Sequence, residues 1–207
     1  MQSRSGDRRR QRSEASRSAI IGAARQILSD GGIEAVQVEA VADMVDMSVQ
    51  TIYNRVGRRS QLLLAVGEQA MEECSQLLGD AFDTQGTPRE RAGAIAAAYM
   101  TFASEHPSEF QLLANPVDDD ARERLGELQR KEVARLAQLL RDAWQSGDMA
   151  LPSDPTQVAV ALWAMMDGIV ALRWKATQLH LGQASFEQVS ETAVSIMFSG
   201  LASKTAE

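Results

Sequence analysis

Two short amphipathic segments, joined by a very tight turn, are the feature that most constrains the fold of this chain. Apolar residues recur with i, i+3, i+4, i+7 spacing at Val38, Val41, Ala42 and Val45, and again at Val49, Ile52, Tyr53 and Val56. This spacing places each set on one face of an α-helix. Between them, Asp46-Met47-Ser48 predicts a turn in which the Ser48 hydroxyl caps the second helix. Because helices this short are unstable alone, they must pack on each other and on neighbouring helices.

The second segment carries polar side chains opposite its apolar face. With Val49, Ile52 and Val56 turned inward, the outward residues are Gln50, Thr51, Asn54 and Arg55. Amide side chains pair well with adenine, and a guanidinium pairs with guanine or with a phosphate. The pattern therefore predicts a helix-turn-helix whose second helix enters the major groove of DNA. An ordinary helical hairpin with a solvated polar face has the same periodicity and is the alternative.

The neighbourhood of this hairpin resembles the DNA-binding domain of the TetR family of transcriptional regulators over residues 16–70. The resemblance is carried by Ala23-Ala24, Gly31-Gly32-Ile33, Val41-Ala42, the run from Met47 to Tyr53, and Arg59-Ser60-Gln61-Leu62. The family usually has a hydroxyl residue, a glycine, an aromatic residue and a lysine where this chain has Gln37, Asp46, Val56 and Arg59. The resemblance implies an all-α fold in which a three-helix DNA-binding domain precedes a C-terminal helical bundle. It also implies about nine helices and a dimer formed through the last two long helices.

The residues expected to contact DNA follow from the outward face and from the resemblance. We expect Gln50, Thr51 and Asn54 to read bases, while Tyr53, Arg58 and Arg59 fix the register on phosphates. The complete predicted set is Gln37, Ser48, Val49, Gln50, Thr51, Tyr53, Asn54, Arg58 and Arg59.

The charge of the chain is divided unevenly along its length. Residues 1–60 hold ten arginines and seven acidic residues, a formal charge of +3, whereas residues 61–207 hold 11 basic and 21 acidic residues, giving −10. A basic head on an acidic body is expected when only the head meets phosphate. Residues 1–13, rich in Arg, Ser and Gln, predict a disordered basic arm. That arm either attracts phosphates, or enters a minor groove, or merely solubilises the chain.

The remaining sequence has helical periods throughout and no alternating strand pattern. In the segment Arg89 to Glu105, the period predicts that Ala92, Ile95, Ala96, Tyr99, Phe102 and Ala103 face inward. We expect a disordered arm over residues 1–13, a DNA-binding domain over 14–59 and a connecting helix over 60–79. A ligand-binding and dimerisation domain is expected over 80–207, with the boundary at the polar loop from Gly79 to Pro88. The apolar segment Val158 to Leu172 is shorter than the roughly 20 residues of a membrane-spanning helix and contains Asp167. The sequence therefore predicts a soluble protein that does not bind a membrane, and its single cysteine fits a reducing cytoplasm.

Motifs of enzymes and of metal sites are absent from the sequence. It contains no Gly-rich phosphate loop, no Cys-x-x-Cys, no His-Glu-x-x-His and no nucleophile elbow. The single Cys74 continues an apolar spacing and is expected to be a buried structural thiol. His106 and His180 lie 74 positions apart, so we expect neither a histidine-rich metal site nor a cofactor.

Bulky residues in the C-terminal region suggest a pocket for a small molecule between helices. The candidate ligand-binding residues are Tyr99, Phe102, His106, Phe110, Trp144, Trp163, Met166 and Asp167. For each aromatic residue, plain core packing is the competing interpretation. Asp167 differs, because a lone carboxylate in an apolar helix is costly to bury unless it is paired. It is expected either to bond across the dimer or to contact a cationic or hydroxylated ligand.

Together these patterns predict a homodimeric, ligand-responsive repressor that binds a palindromic operator in double-stranded DNA and leaves it on binding a small-molecule effector. Two other classes remain open. A small-molecule carrier would need the pocket but no DNA contacts, and a helical enzyme would need a polar catalytic cluster.

Overall fold

A computed structural model describes the backbone of residues 3–175 and 183–199, and the side chains of residue 7 and residues 10–173 and 188–197. In this described part the chain forms nine α-helices and one short 3-10 helix, without any strand. The helices are α1 (Ser3–Gly31), α2 (Val38–Met44), α3 (Val49–Arg55), α4 (Arg59–Phe82), α5 (Pro88–Glu105), α6 (Pro107–Ala114), α7 (Asp119–Gln145), α8 (Pro155–Lys175) and α9 (Gln183–Ser199). The all-α prediction is confirmed.

The chain divides into two compact units that differ from the predicted domains. Unit 1 comprises Met1–Glu73 and His106–Glu127, and unit 2 comprises Cys74–Glu105 and Leu128–Glu207. The range 80–207, predicted as one domain, is thus divided between the two units, since α6 and the start of α7 pack with the N-terminal helices. Periodicity could not indicate this, because it reports which face of a helix is apolar and not which partner covers that face.

Unit 1 is built around the apolar faces of its first helices. Ile20, Ala24 and Leu28 of α1 pack with Val41 of α2 and Ile52 of α3 in one buried cluster. The cluster also contains α4 residues and, from α6, a fully buried leucine. This packing supplies the stability that two seven-residue helices lack on their own.

The N-terminal segment is the clearest departure from the prediction of a disordered arm. Helix α1 begins at Ser3 and runs without interruption to Gly31, so residues 3–13 are helical. Arginine and glutamine favour helix, and the part of α1 from Ile20 onward is already held in the core. Extending an existing helix by further residues avoids the cost of nucleation. Arg10 and Glu14 add an i,i+4 ion pair with an N–O distance of 3.7 Å.

A charged cluster ties three helices of unit 1 together. The guanidinium of Arg25 in α1 donates two hydrogen bonds of 2.5 Å to the Glu73 carboxylate in α4. Its Nε donates at 2.7 Å to Glu109 in α6, and Nη2 lies 3.2 Å from His106 Nδ1. The Arg25 guanidinium lowers the pKa of the Glu73 carboxyl, although partial burial opposes the shift. Arg25 thus neutralises two carboxylates, one of which is buried.

The buried face of α5 in unit 2 matches the apolar spacing of the sequence. In α5 the buried residues are Ala92, Ile95, Ala96, Tyr99, Phe102 and Ala103, as the sequence predicts. Cys74 is buried, and this burial, with the nearby carboxylates of Glu132 and Asp167, raises the pKa of its thiol to about 12. A thiol with so high a pKa is poorly reactive, which supports its structural role.

Helix α8 extends beyond the apolar segment Val158 to Leu172 at both ends. Residues Pro155–Arg173 form a segment that is long and apolar enough to cross a membrane by length and composition, so the argument from length against a spanning helix fails. In unit 2, however, this helix packs against α5 and α9 and carries the carboxylate of Asp167. A core helix of a soluble bundle has the same length and composition.

Candidate nucleic-acid interface and apolar cavity

The turn between α2 and α3 sets the geometry of the candidate DNA-reading helix. The backbone N–H of Thr51 donates to the Ser48 hydroxyl over 3.2 Å, which is the predicted N-terminal cap. Asp46 adopts a φ of 51°, the only positive value at a non-glycine residue in the described part of the chain. This left-handed conformation favours glycine, and aspartate tolerates it better than most residues. The backbone therefore explains why the resembling family usually has glycine there.

The outward face of α3 presents the polar groups that the sequence indicates. Ile52 is fully buried beneath it, whereas Gln50 and Asn54 are exposed and linked by a hydrogen bond of 3.1 Å from Nε2 to Oδ1. Tyr53 exposes 42% of its surface next to them. Two linked amides are therefore exposed on a short, capped helix, and side-chain amides are groups that can pair with base edges.

Some predicted DNA-binding residues have structural partners instead. Arg59 donates from Nε to the Val36 carbonyl at 2.8 Å and from Nη2 to the Ile33 carbonyl at 2.7 Å. These bonds hold the loop before α2, so they direct the guanidinium of Arg59 towards its own backbone. Val49 is partly buried against the core and does not belong to the outward face.

The other predicted residues lie at the ends of the short helices. The Gln37 amide donates to the Glu34 carbonyl at 3.0 Å and does not cap α2. The hydroxyls of Ser48 and Thr51 share a hydrogen bond of 2.8 Å. Arg58 is exposed just before α4, and its backbone N–H donates a hydrogen bond to Gln61 Oε1. Arg58 therefore remains the candidate for a phosphate contact at this position.

Two contacts that the sequence does not indicate join α3 to α1. The Arg55 guanidinium donates to the Ser13 hydroxyl, and Arg17 Nη1 donates to the Arg55 carbonyl over 3.4 Å. The pairs are 42 and 38 positions apart, so no local pattern could have predicted them. They place the C-terminal end of α3 against the N-terminal half of α1.

Unit 2 contains a small, partly open apolar cavity of about 40 Å³. Its lining includes Tyr99, Trp163 and Met166, three of the predicted ligand-binding residues. The rings of Tyr99 and Trp163 lie 4.9 Å apart between centroids at an interplanar angle of 58°. This volume exceeds the roughly 10–15 Å³ that one water needs but is far below that of a typical ligand pocket.

Asp167 is paired within the same unit. The Tyr99 hydroxyl donates to Asp167 Oδ1. Burial raises the pKa of the Asp167 carboxyl, and the hydrogen bond from Tyr99 partly opposes this shift. Burial also raises the pKa of the Tyr99 hydroxyl well above its usual value, and the adjacent carboxylate adds to the effect. The Tyr99–Asp167 pair is thus a polar group next to an apolar cavity.

The remaining candidate ligand residues are not brought together at this cavity. Phe102 is fully buried but does not line it, and His106 and Phe110 belong to unit 1. Trp144 exposes 54% of its surface, because the buried stripe of α7 runs along Leu136, Leu140 and Ala143 and leaves the next position at its edge. Of the eight candidates, this cavity brings together Tyr99, Trp163 and Met166.

Among the residues whose side chains are described, no group of three His, Cys, Asp or Glu side chains is placed to hold a metal ion. His180 lies outside the described residues.

A capped helix-turn-helix in one unit and an apolar cavity in the other define the class of this protein. It is a DNA-binding transcriptional regulator that responds to a small molecule. Residues 20–66 match the family model of the bacterial regulatory proteins of the tetR family, and residues 92–197 match that of the tetracyclin repressor-like C-terminal domain. The chain therefore belongs to the tetR family, which confirms the resemblance. No curated protein matches its sequence.

Solved structures show the same fold at low sequence identity. A protein with unknown function from Rhodococcus sp. RHA1 is 23% identical over 90% of this chain and 95% of its own, with a TM-score of 0.76. A transcriptional regulator of the TetR/AcrR family from Thermobifida fusca is 19% identical over 90% of this chain and 98% of its own, with a TM-score of 0.73. The regulator FadR from Bacillus subtilis, solved with stearoyl-CoA, is 16% identical over 88% and 98%, with a TM-score of 0.72.

Proposed function

We propose that this protein is a homodimeric repressor that binds a palindromic operator through α3 and leaves it when an effector enters the cavity of unit 2. The observation that carries the proposal is the outward face of α3, where the amides of Gln50 and Asn54 are exposed above a fully buried Ile52. In this role the two amides read bases, while Tyr53 and Arg58 contact phosphates. A symmetric dimer would place half-sites about 10 bp apart, or a multiple of that spacing.

The dimer is supported by apolar surface on the last two helices. Val160 and Met165 of α8 and Ile196 of α9 are large apolar residues that are exposed in the single chain. Val158 and Ile196 belong to the lining of one open apolar groove of about 420 Å³. A second copy of the same two helices would cover this surface in a four-helix arrangement.

The effector site is supported by the cavity and by the Tyr99–Asp167 pair. An effector much larger than a water molecule must enlarge the cavity of about 40 Å³, so its binding would move the surrounding helices. Asp167 accepts a hydrogen bond from Tyr99, so a hydroxyl or amine of an apolar effector can replace that donor. FadR from Bacillus subtilis was solved with stearoyl-CoA, a ligand with a long apolar chain.

Helix α4 offers the route from effector to DNA. It is one continuous helix whose residues up to Glu73 belong to unit 1 and whose residues from Cys74 belong to unit 2. Leu78 of α4 lines the cavity, while Leu62 and Leu63 pack in the core beneath α3. An effector that favours one position of α4 would shift the population of DNA-binding geometries.

The proposal is tested by selecting binding sites from a pool of random duplexes at near-physiological salt, followed by titrations of Gln50→Ala and Asn54→Ala on the selected site. We expect an enriched palindrome, and each variant should lose about 1–3 kcal/mol of preference at one base pair per half-site. Salt-sensitive retention without a shared sequence would contradict specific regulation.

The variant Asp167→Asn is the matched control for the other unit. It should retain the operator preference, because Asp167 lies in unit 2, but alter the affinity for any compound that releases the wild type from the operator. A small-molecule carrier would give the opposite pattern, with ligand binding in the wild type and no selected DNA sequence.

A further inference from the structure

We propose that residues 3–13 of α1 form a second DNA-contacting element, an arginine-rich helix that binds the phosphate backbone beside the recognition helix. This inference rests on the proposed function, because it takes duplex DNA as the partner of α3. It assigns a role to a segment for which the sequence left three alternatives open.

The position of this helix relative to α3 is the first observation. Arg55, the last residue of α3, contacts Ser13 with its guanidinium and Arg17 with its carbonyl. Helix α1 continues from Ser13 back to Ser3, a length of about 15 Å at 1.5 Å per residue. Helix α3 occupies a groove only about 12 Å wide, so an element that touches its end lies close to a flanking phosphate strand.

The charge of this helix is the second observation. Residues 3–13 contain Arg4, Arg8, Arg9, Arg10 and Arg12 against the single acidic Asp7, a formal charge of +4 in a chain whose net charge is −7. A strongly basic segment in an otherwise acidic chain has the charge complementarity that a phosphate strand requires.

The helical state selects among the three alternatives. A basic arm that enters a minor groove must be narrow, because that groove is about 6 Å wide, whereas a helix with its side chains measures about 10–12 Å across. A mere solubilising tail needs no fixed attachment to α3, yet Ser13 and Arg17 are hydrogen-bonded to it. The helix is therefore suited to phosphates, and its contribution to affinity carries no sequence information.

The experiment measures how the affinity for a duplex of about three helical turns depends on salt concentration, for a selected site and for a random sequence. The test variant is R8Q/R9Q/R12Q in the full chain, because glutamine removes charge and retains helix propensity. The matched control is R89Q/R130Q/K131Q, which removes the same charge from exposed positions of unit 2. A third variant, R8K/R9K/R12K, retains the charge.

We expect the test variant to lose affinity for both duplexes by the same factor. The slope of log K against log salt should fall in magnitude by about 3–5, since each of up to six contacts in a dimer contributes about 0.9. The control and the lysine variant should keep the wild-type slope. Equal slopes in the test and control variants would overturn the inference, even if an operator had been selected. A wild type that selects no operator would instead overturn the proposed function.

The variant Q11P tests whether the helical structure of residues 3–13, and not only their positive charge, is needed for DNA binding. Proline at this position interrupts α1 while it leaves every arginine in place. The inference expects a reduced slope for Q11P, and an unchanged slope would show that the helix itself is not required.

Discussion

Asp46 adopts an unfavourable backbone conformation that the turn between α2 and α3 requires. Its φ of 51° lies in the left-handed region, and a hydrogen bond of 3.0 Å from the Met47 N–H to the Ala42 carbonyl closes the turn around it. This conformation accounts for the glycine that the resembling family usually has here, and aspartate adopts it at a smaller cost than most other residues. Its carboxylate is exposed, so the conformational cost can be tested separately from any burial.

We expect Asp46→Gly to raise the free energy of unfolding by up to about 1 kcal/mol, because glycine adopts positive φ without a steric penalty. Asp46→Val should lower it by about 1–2 kcal/mol, since a β-branched residue is disfavoured in the same conformation. Urea denaturation of the three proteins measures both changes. Equal stability of the glycine and valine variants would contradict the claim that the positive φ at this position is unfavourable.

Arg25 is expected to be the most sensitive charged residue of unit 1. Arg25→Met leaves the Glu109 carboxylate, whose side chain is only 6% exposed, without the guanidinium that neutralises it. The cost should be about 3–5 kcal/mol, as for other broken buried pairs. Combining Arg25→Met with Glu109→Gln should recover much of it, and urea unfolding of the single and double variants gives the comparison. A single variant within about 1 kcal/mol of the wild type would refute this interpretation.

The Arg25–Glu73 pair also predicts a dependence of stability on pH. The pKa of Glu73 is lowered in the folded state, so the unfolded chain binds more protons once the pH falls below the usual carboxyl range. The pair therefore stabilises the fold fully above the unfolded pKa of about 4.3, and this contribution is lost as the pH falls through the lower folded pKa. Unfolding free energies from pH 6 down to pH 3 should fall more steeply for the wild type than for Glu73→Gln. If the two proteins lost stability equally with falling pH, the Arg25–Glu73 pair would not contribute to the pH dependence.

At the scale of elements, α2 and α3 follow their sequence pattern and α1 does not. The apolar spacing and the cap placed the short helices correctly, because each is anchored by residues that lie within the same segment, such as Ile52 and Ser48. The N-terminal half of α1 has no apolar period, and its helicity depends on continuation from the buried half. A local pattern cannot report such support.

The cap of α3 gives the prediction at this scale. Ser48→Ala should lower the free energy of unfolding by about 1 kcal/mol, because the Thr51 N–H then loses its acceptor. Ser48→Gly should cost only a few tenths of a kcal/mol, since glycine at the cap leaves the N–H open to water. Thermal or urea unfolding distinguishes them. If alanine were no worse than glycine, the hydroxyl would not act as a cap.

At the scale of the whole molecule, the apolar surface of α8 and α9 is the feature that a single chain leaves exposed. Ile196 exposes 68% of its surface, and Val160 and Met165 are also exposed. This surface is consistent with the expected pairing of the last two helices, and it is the basis of the proposed dimer.

We expect Ile196→Glu to convert the dimer to a monomer, because burying a carboxylate in an apolar interface costs more than the contact gains. Sedimentation velocity measures the change, and operator affinity should fall with it. Ala134→Glu on the exposed face of α7 is the matched control and should remain dimeric. A dimeric Ile196→Glu protein would place the interface elsewhere.

The sequence by itself determined the helical class, the two short helices with their cap, and the inward face of α5. It did so because helical periods, caps and turn residues act over a few positions along the chain. Its outward amides Gln50 and Asn54 were found for the same reason, since the face opposite a buried Ile52 must be exposed.

Only the tertiary structure decided which of these faces meet. It assigned α6 to unit 1, turned Arg59 towards its own backbone, and separated His106 and Phe110 from the cavity that Tyr99 and Trp163 line. It also joined Arg25 to Glu73 and Glu109, which lie 48 and 84 positions further along the chain. Such contacts depend on how separate helices pack, and packing is a property of the folded chain that no local sequence pattern contains.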